Sequence, residues 1–154
     1  FEEKKPLGTI GSLYNLKKKL SDIFILSNCD TLIDTSLSNI INYHKEKKND
    51  LTIVAAIRDF KLPYAYCNVS KNGDLIKMVE KPEYNFLINT GFYVLNKKIL
   101  NIIPKNKFYN FDDFIQDLKR KNFKVGVYPI EKNSWSDIGK WDEYEKTSIK
   151  LKND

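Results

Sequence analysis

In Asp22-Ile-Phe-Ile-Leu-Ser-Asn-Cys-Asp30 a continuous apolar run from Ile23 to Ser27 gives way to a short polar segment that closes on an acid. An unbroken apolar run of this length is typical of a strand buried on both faces. A second acid, Asp137, stands in Ser134-Trp-Ser-Asp-Ile-Gly139, shortly after the run Val125-Gly-Val-Tyr-Pro-Ile130. Ligands of open α/β sheets bind outside the carboxyl ends of the strands. Asp30 and Asp137 are therefore expected to meet in one cleft. Two carboxylates there can share a hard divalent cation such as Mg²⁺, and the cation can hold phosphates. Taken singly, each Asp reads better as a turn or cap residue. The metal reading rests on the pair.

Working outward, Leu13, Leu16 and Leu20 mark a short amphipathic helix within 11–20. Asp34 or Thr35 is expected to cap a helix running to about Lys48, with Leu37, Ile40, Ile41 and His44 on its inner side. Leu51 to Ile57 reads as a second buried strand. Tyr64–Val69 and Leu75–Val79 flank Lys71-Asn-Gly-Asp74, a hairpin signal. Ile88–Leu95 is a further strand, and Asn96 or Lys97 opens a short helix ending near Pro104. Asn110 is the expected cap of a helix over Phe111–Lys121. Val125–Tyr128 is the last strand, and a charged helix follows over Lys140–Lys150. Strands alternating with helices, plus one inserted hairpin, predict a single three-layer α/β domain with a mixed sheet.

The 154 residues, 42% of them hydrophobic, are enough for one core. The net charge of +6 comes from lysines scattered over predicted helices, as at Lys17-Lys-Lys19 and Lys45, Lys47 and Lys48. No contiguous basic face with interleaved aromatics stands out, which argues against a nucleic-acid-binding module. A modest positive field suits phosphate-bearing substrates instead. Cys29 and Cys67 form no disulfide framework and no metal-ligand spacing, so a reducing, cytoplasmic setting is expected. No run approaches membrane-spanning length. The single histidine, His44, lies on an apolar helix face and reads as a core residue, which removes His-dependent triads.

Three further segments carry polar chemistry. Gly8 and Gly11, in Glu3-Lys-Lys-Pro-Leu-Gly-Thr-Ile-Gly11, let backbone approach a flat ligand or a phosphate, or serve ordinary loop packing. Glu80-Lys-Pro82 offers an acceptor for sugar hydroxyls and a point charge for a phosphate, or a surface ion pair before a proline turn. Asn89-Thr-Gly91 is a strand passing close to a ligand, or a bulge. Trp135 covers a sugar or metal site, or fills the core.

Together these segments resemble the sugar-phosphate nucleotidyltransferases, also called nucleotide-sugar pyrophosphorylases, and most of all their mannose-1-phosphate guanylyltransferase-like branch. The matching pieces are Glu3…Pro6-Leu-Gly-Thr-Ile-Gly11, the strand ending at Asp30, Glu80-Lys-Pro82, Asn89-Thr-Gly-Phe-Tyr-Val-Leu95 and Trp135-Ser-Asp-Ile-Gly139. No one of them is decisive; five in order along essentially the whole chain are specific. The resemblance implies a Rossmann-like, GT-A-like α/β/α fold and a reaction of NTP with sugar 1-phosphate to give NDP-sugar and pyrophosphate. It implies that Asp30 and Asp137 hold Mg²⁺ and that Lys81 binds the sugar phosphate. Glu80, Tyr64, Ala65, Asn89, Thr90 and Gly91 would hold the sugar, and Glu3, Pro6, Gly8 and Gly11 the nucleotide. A carboxylate accepts both donors on the pairing edge of guanine, so Glu3 favours GTP.

Ala65 departs from the family, which often has Gly after the aromatic at this place. The family's N-terminal strand and its Gly-rich, basic NTP-clamping loop are absent from these residues. The segment by itself is therefore expected to bind NTP poorly and to turn over little. The same observation keeps open a second reading, a catalytically silent regulatory homologue that binds nucleotide sugar beside a complete subunit. The resemblance is also compatible with a CBS domain elsewhere in the parent chain and with a homo-oligomer.

Overall fold

The computed structural model describes Glu2, Glu3 and residues 5–139. The charged helix expected over Lys140–Lys150 lies outside the described residues. In chain order the elements are α1 (Leu13–Leu16), β1 (Ile23–Ser27), β2 (Thr31–Ile33), α2 (Leu37–Glu46), β3 (Leu51–Lys61), β4 (Tyr66–Val69), β5 (Leu75–Val79), β6 (Glu83–Asn96), α3 (Phe111–Arg120), β7 (Val125–Ile130) and β8 (Trp135–Asp137). Short 3₁₀ turns follow α1 and β6, at Lys17–Lys19 and Lys97–Ile102, where the sequence pattern suggested continuous helix.

The main sheet is mixed, in the order β1-β6-β3-β7. β6 runs antiparallel to β1 and to β3, whereas β7 is parallel to β3. Side chains alternate across a strand, and β6 divides its apolar residues accordingly. Tyr93 and Leu95 enter one core with Ile10, Leu13, Phe114 and Leu118. Phe92 and Val94 enter a second core with Ile40, Val54 and Ile130. α1 and α3 thus cover one face and α2 the other. This is the three-layer arrangement expected, and both faces of the central strands are buried because they carry apolar residues at consecutive positions.

β7 pairs with β3 only as far as Ala56, and β1 pairs with β6 only from Phe92 onward. Beyond those points Ile57–Lys61 and Glu83–Leu87 continue together as a two-stranded arm. The β4–β5 hairpin, with its turn around Gly73, lies between the two strands of that arm in sequence.

Three expectations need correction. β1 is not buried on both faces: it lies at the edge of the described sheet, and Ile25 is 38% exposed. The cap of α2 is Ser36, whose side chain accepts the Asn39 N–H at 3.4 Å. Asp34 donates its own N–H to the Ser134 carbonyl at 2.8 Å, so it belongs to the end of a strand pairing and the helix starts later. Leu37 faces outward, leaving Ile40 and His44 as the buried residues of α2.

His44 is a packed core residue, as its apolar surroundings suggested. One ring nitrogen lies 2.8 Å from the Thr52 hydroxyl and the other 3.3 Å from Asn96 Oδ1. Asn49 donates to the same Thr52 hydroxyl at 3.0 Å and accepts from Asn96 through its backbone carbonyl at 2.8 Å. Burial pushes the His44 pKa below its ordinary value of 6.5, outweighing the Asn96 contact and the Asp50 charge that raise it. The unfolded chain therefore binds more protons near that pH. Stability from neutral His44 is complete above 6.5 and is lost as pH falls below it. Urea midpoints should drop between about pH 7.5 and about pH 5.5. His44→Gln, which keeps a hydrogen-bonding side chain without the titration, should flatten that drop; an equal drop in the variant would show that another group causes it.

Candidate active site

β2 and β8 form a two-stranded antiparallel ladder apart from the main sheet, with Thr31 opposite Asp137, Leu32 opposite Ser136 and Ile33 opposite Trp135. One further bond extends the pairing, from the Ile138 N–H to the Asp30 carbonyl at 2.9 Å. The ladder sets the two acids side by side. A Cβ built on Gly139 would lie 2.9 Å from Asp30 Oδ2 and 3.2 Å from Asp137 Oδ1, so both carboxylates reach the same small volume. Both residues are half-buried. Neither is in an ion pair among the described residues.

Two adjacent carboxylates without a basic partner suit a divalent cation with oxygen ligands. No group of three or more His, Cys, Asp or Glu that could hold a metal occurs among the described residues. Two carboxylates alone are fewer than the six ligands of an octahedral Mg²⁺.

The Asn89-Thr-Gly segment is a bulge. The β3–β6 register jumps from Val54 opposite Phe92 to Ala55 opposite Asn89, so Thr90 and Gly91 have no partner in β3. The buried Thr90 hydroxyl donates to the Val54 carbonyl at 2.8 Å. Gly91 has φ +79°, and a Cβ there would lie 2.5 Å from Asn28 Nδ2. Glycine is needed here both for the left-handed backbone and for the close approach of the Asn28 side chain. Asn89 accepts from the Gly91 N–H at 3.1 Å and donates to the Tyr93 hydroxyl at 2.8 Å.

Beside this bulge opens a cavity of about 440 Å³ lined by Thr9, Leu26, Ser27, Asn28, Tyr93, Asn110, Phe111 and Asp112. Phe111 stacks on Tyr93 with ring centroids 4.1 Å apart. Burial lifts the Tyr93 phenol above its ordinary range, so it stays neutral and can both donate and accept. Asn110 has the extended backbone of a cap, yet its side chain makes no cap bond; the Phe111 N–H instead donates to the Thr9 hydroxyl at 2.8 Å. Thr9, Asn110 and Asp112 were not among the site residues the sequence singled out; Asn110 was expected only as a helix cap. The one available signal was an Asn-Phe-Asp-Asp start to an amphipathic helix, which reads first as ordinary capping.

The segment carrying Glu3, Pro6, Gly8 and Gly11 docks on the same wall. Ile10 N–H donates to the Tyr109 carbonyl at 3.2 Å, and Tyr109 N–H to the Leu7 carbonyl at 3.0 Å. The missing Cβ positions of Gly8 and Gly11 point at the backbone of Tyr109, Leu7 and Lys107. Glu3 is exposed, with one carboxylate oxygen accepting the Leu7 N–H at 3.3 Å.

The remaining candidates lie on the arm and its hairpin. Glu80 and Lys81 form an exposed pair with 3.9 Å between charged atoms. Lys81 has φ +39°, an uncommon conformation for a residue with a side chain, and it immediately precedes Pro82. Tyr64 is 73% exposed and Ala65 is exposed in the loop before β4. Among the described residues no hydrogen bond or ion pair joins Glu80 or Lys81 to Asp30 or Asp137. Trp135 packs against the second core, with the Arg58 guanidinium 5.0 Å from its ring centroid. No helix among the described residues is long and apolar enough to cross a membrane.

Comparison with known proteins gives the family of the chain. The chain is 32% identical over 155 residues to a provisionally named mannose-1-phosphate guanyltransferase of Sulfolobus acidocaldarius, covering 97% of this chain and 42% of that protein. It is 32% identical over 123 residues to a D-glycero-alpha-D-manno-heptose 1-phosphate guanylyltransferase of Campylobacter jejuni, covering 77% of this chain and 52% of that one. The chain thus spans about half or less of these relatives. The crystal structure of HddC from Yersinia pseudotuberculosis complexed with GMP-PN superposes with a TM-score of 0.68 at 27% identity, covering 97% of this chain and 64% of HddC. The Rossmann-like fold expected from the sequence is therefore the fold of the chain. A family model described as nucleotidyl transferase matches residues 1–154, and the chain belongs to that family.

Proposed function

We propose that the protein carrying this chain transfers a nucleotidyl group from an NTP, preferentially GTP, to a sugar 1-phosphate, giving NDP-sugar and pyrophosphate. The observation that carries the reading is the approach of Asp30 and Asp137 to a single point from distant parts of the sequence. These two side chains would hold Mg²⁺, which when bound neutralises phosphate charge and aligns the reacting groups. The sugar phosphate oxygen attacks the α-phosphorus in line, and the bond from that phosphorus to the bridging oxygen breaks as pyrophosphate leaves. Little covalent work falls to the protein; positioning and charge carry the rate.

The residues divide the remaining tasks. The segment with Glu3, Pro6, Gly8 and Gly11 takes the base. Lys81 supplies a point charge for the sugar phosphate; its ammonium is exposed, 3.9 Å from the Glu80 carboxylate. The cavity between Asn28, Tyr93, Asn110 and Asp112 receives the sugar, with Asn89 beside it through its bond to Tyr93. Glu80, Tyr64, Ala65 and the Thr90–Gly91 backbone complete the sugar side. The guanylyltransferase names of the relatives and the nucleotide in the HddC complex favour GTP.

The test is pyrophosphate release by the complete protein with GTP, CTP, UTP and dTTP against several sugar 1-phosphates in Mg²⁺. Release with GTP and one sugar is expected, and no release with any pair would defeat the proposal. Glu3→Gln should reduce the preference for GTP over UTP by about tenfold or more, the scale of one charge-assisted hydrogen bond. An unchanged preference would remove Glu3 from base selection.

A further inference from the structure

The bulge in β6 does a second thing that its place near the sugar cavity does not require. Thr90 and Gly91 have no register partners in β3, and their carbonyls are used on the other side of β6. Both are taken by residues that flank Asp30. The Asn28 N–H donates to the Gly91 carbonyl at 2.9 Å, and the Thr31 hydroxyl donates to the Thr90 carbonyl at 2.8 Å. Thr31 is also the residue whose backbone stands opposite Asp137. One residue therefore touches three parts of the site: it follows Asp30, pairs with Asp137 and is bonded to the bulge. Thr90 is itself held by its hydroxyl bond to the Val54 carbonyl in the middle of the main sheet.

A three-residue ladder lying apart from the main sheet is a weak support for two like charges. Short strand pairs are marginal alone, and adjacent carboxylates repel. Ile33 and Trp135 of the ladder pack on the second core, and among the described residues the Thr31 hydroxyl makes the side-chain hydrogen bond that ties the ladder to β6. We infer that Thr31 is a positioning residue: its hydroxyl bond to the Thr90 carbonyl sets the place at which Asp30 faces Asp137 and so governs cation affinity. The inference rests on the reading of Asp30 and Asp137 as the metal pair. Thr31 makes no contact with substrate in this scheme and acts only through its neighbours.

The experiment uses the complete protein and Mn²⁺ alone, titrated by electron paramagnetic resonance, with Thr31→Val, Thr31→Ser and Asp137→Asn compared to the parent. Amide hydrogen exchange at Ile138, whose N–H bonds to the Asp30 carbonyl, is followed in metal-free protein. Thr31→Val keeps shape and β-branching but removes the donor. It should raise the Mn²⁺ dissociation constant by about tenfold, the low end for residues supporting metal ligands, and speed exchange at Ile138. Thr31→Ser should restore both to within about twofold of the parent, because the hydroxyl is the operative group. Should Thr31→Val fail to fold, Thr31→Ala removes the same donor with less bulk.

Parent-like Mn²⁺ binding in Thr31→Val together with lost binding in Asp137→Asn would overturn the positioning role alone. Equal weakening in Thr31→Val and Thr31→Ser would also overturn it. Parent-like binding in Asp137→Asn would overturn the metal reading, and the positioning role with it.

Discussion

Asp137→Asn should lower turnover by about a thousandfold or more while leaving the fold intact. The size follows from what a bound cation supplies at a phosphoryl transfer, several kcal/mol of charge stabilisation, with each 1.36 kcal/mol worth about a factor of ten. The sparing of the fold follows from what the side chain does in the protein. Its one hydrogen bond among the described residues is the acceptance of the Gly139 N–H at Oδ1, 3.2 Å. An amide oxygen can accept that bond equally well. The pairing of Asp137 with Thr31 is through the backbone and survives the change. The melting temperature without metal should therefore stay close to that of the parent, whereas the rise produced by saturating Mg²⁺ should disappear, since only a ligand that binds the native state stabilises it. Asp30→Asn should behave alike, and the double variant should cost little more than either single one, because the two carboxylates act as a unit. A variant that kept a tenth of the parent turnover with an unchanged Mg²⁺ requirement would dismiss the pair as the metal site.

What could be seen of this site in the sequence was its ends, and what could not be seen was the device that joins them. Strands β3 and β6 were legible because their apolar residues run long enough to show two buried faces, and the hairpin because Asn72-Gly73 marks its turn. Asp30 and Asp137 were legible as acids following such runs. The β2–β8 ladder was not, because three residues are too few to display a period and the register between distant segments leaves no local trace. The same limit applies to the bulge: Gly91 announced an irregularity, but only the register jump shows that Thr90 and Gly91 turn their carbonyls toward the Asp30 segment. The edge position of β1 was hidden for a different reason. Apolar content reports that a strand can be buried, and Ile25 at 38% exposure shows that its place in the sheet decides whether it is.

Gly11→Ala should be among the most destabilising single substitutions in the chain, costing about 3 kcal/mol, the upper end for overpacking. A Cβ at this position would sit 2.3 Å from the Leu7 carbonyl oxygen and 2.8 Å from that of Lys107. Flexible side chains can move aside at such distances; carbonyls of a fixed backbone cannot. The Leu7 carbonyl is already held by the Tyr109 N–H at 3.0 Å, and Leu7 and Ile10 are both buried. Relief thus requires the segment from Leu7 to Ile10 to leave the Tyr109 wall, which would strip Ile10 from the first core and open one side of the cavity. The melting temperature should fall by roughly 6–12 °C for a chain of this size, with nucleotide affinity falling alongside it. Gly73→Ala separates this crowding from backbone strain. Gly73 has φ +89°, and nothing lies within 4 Å of the place its Cβ would occupy, so only the conformational cost of about 1 kcal/mol should appear. Equal losses in the two variants would mean that the Leu7–Ile10 segment is not docked against Tyr109 in solution, and the nucleotide side of the site would have to be sought elsewhere.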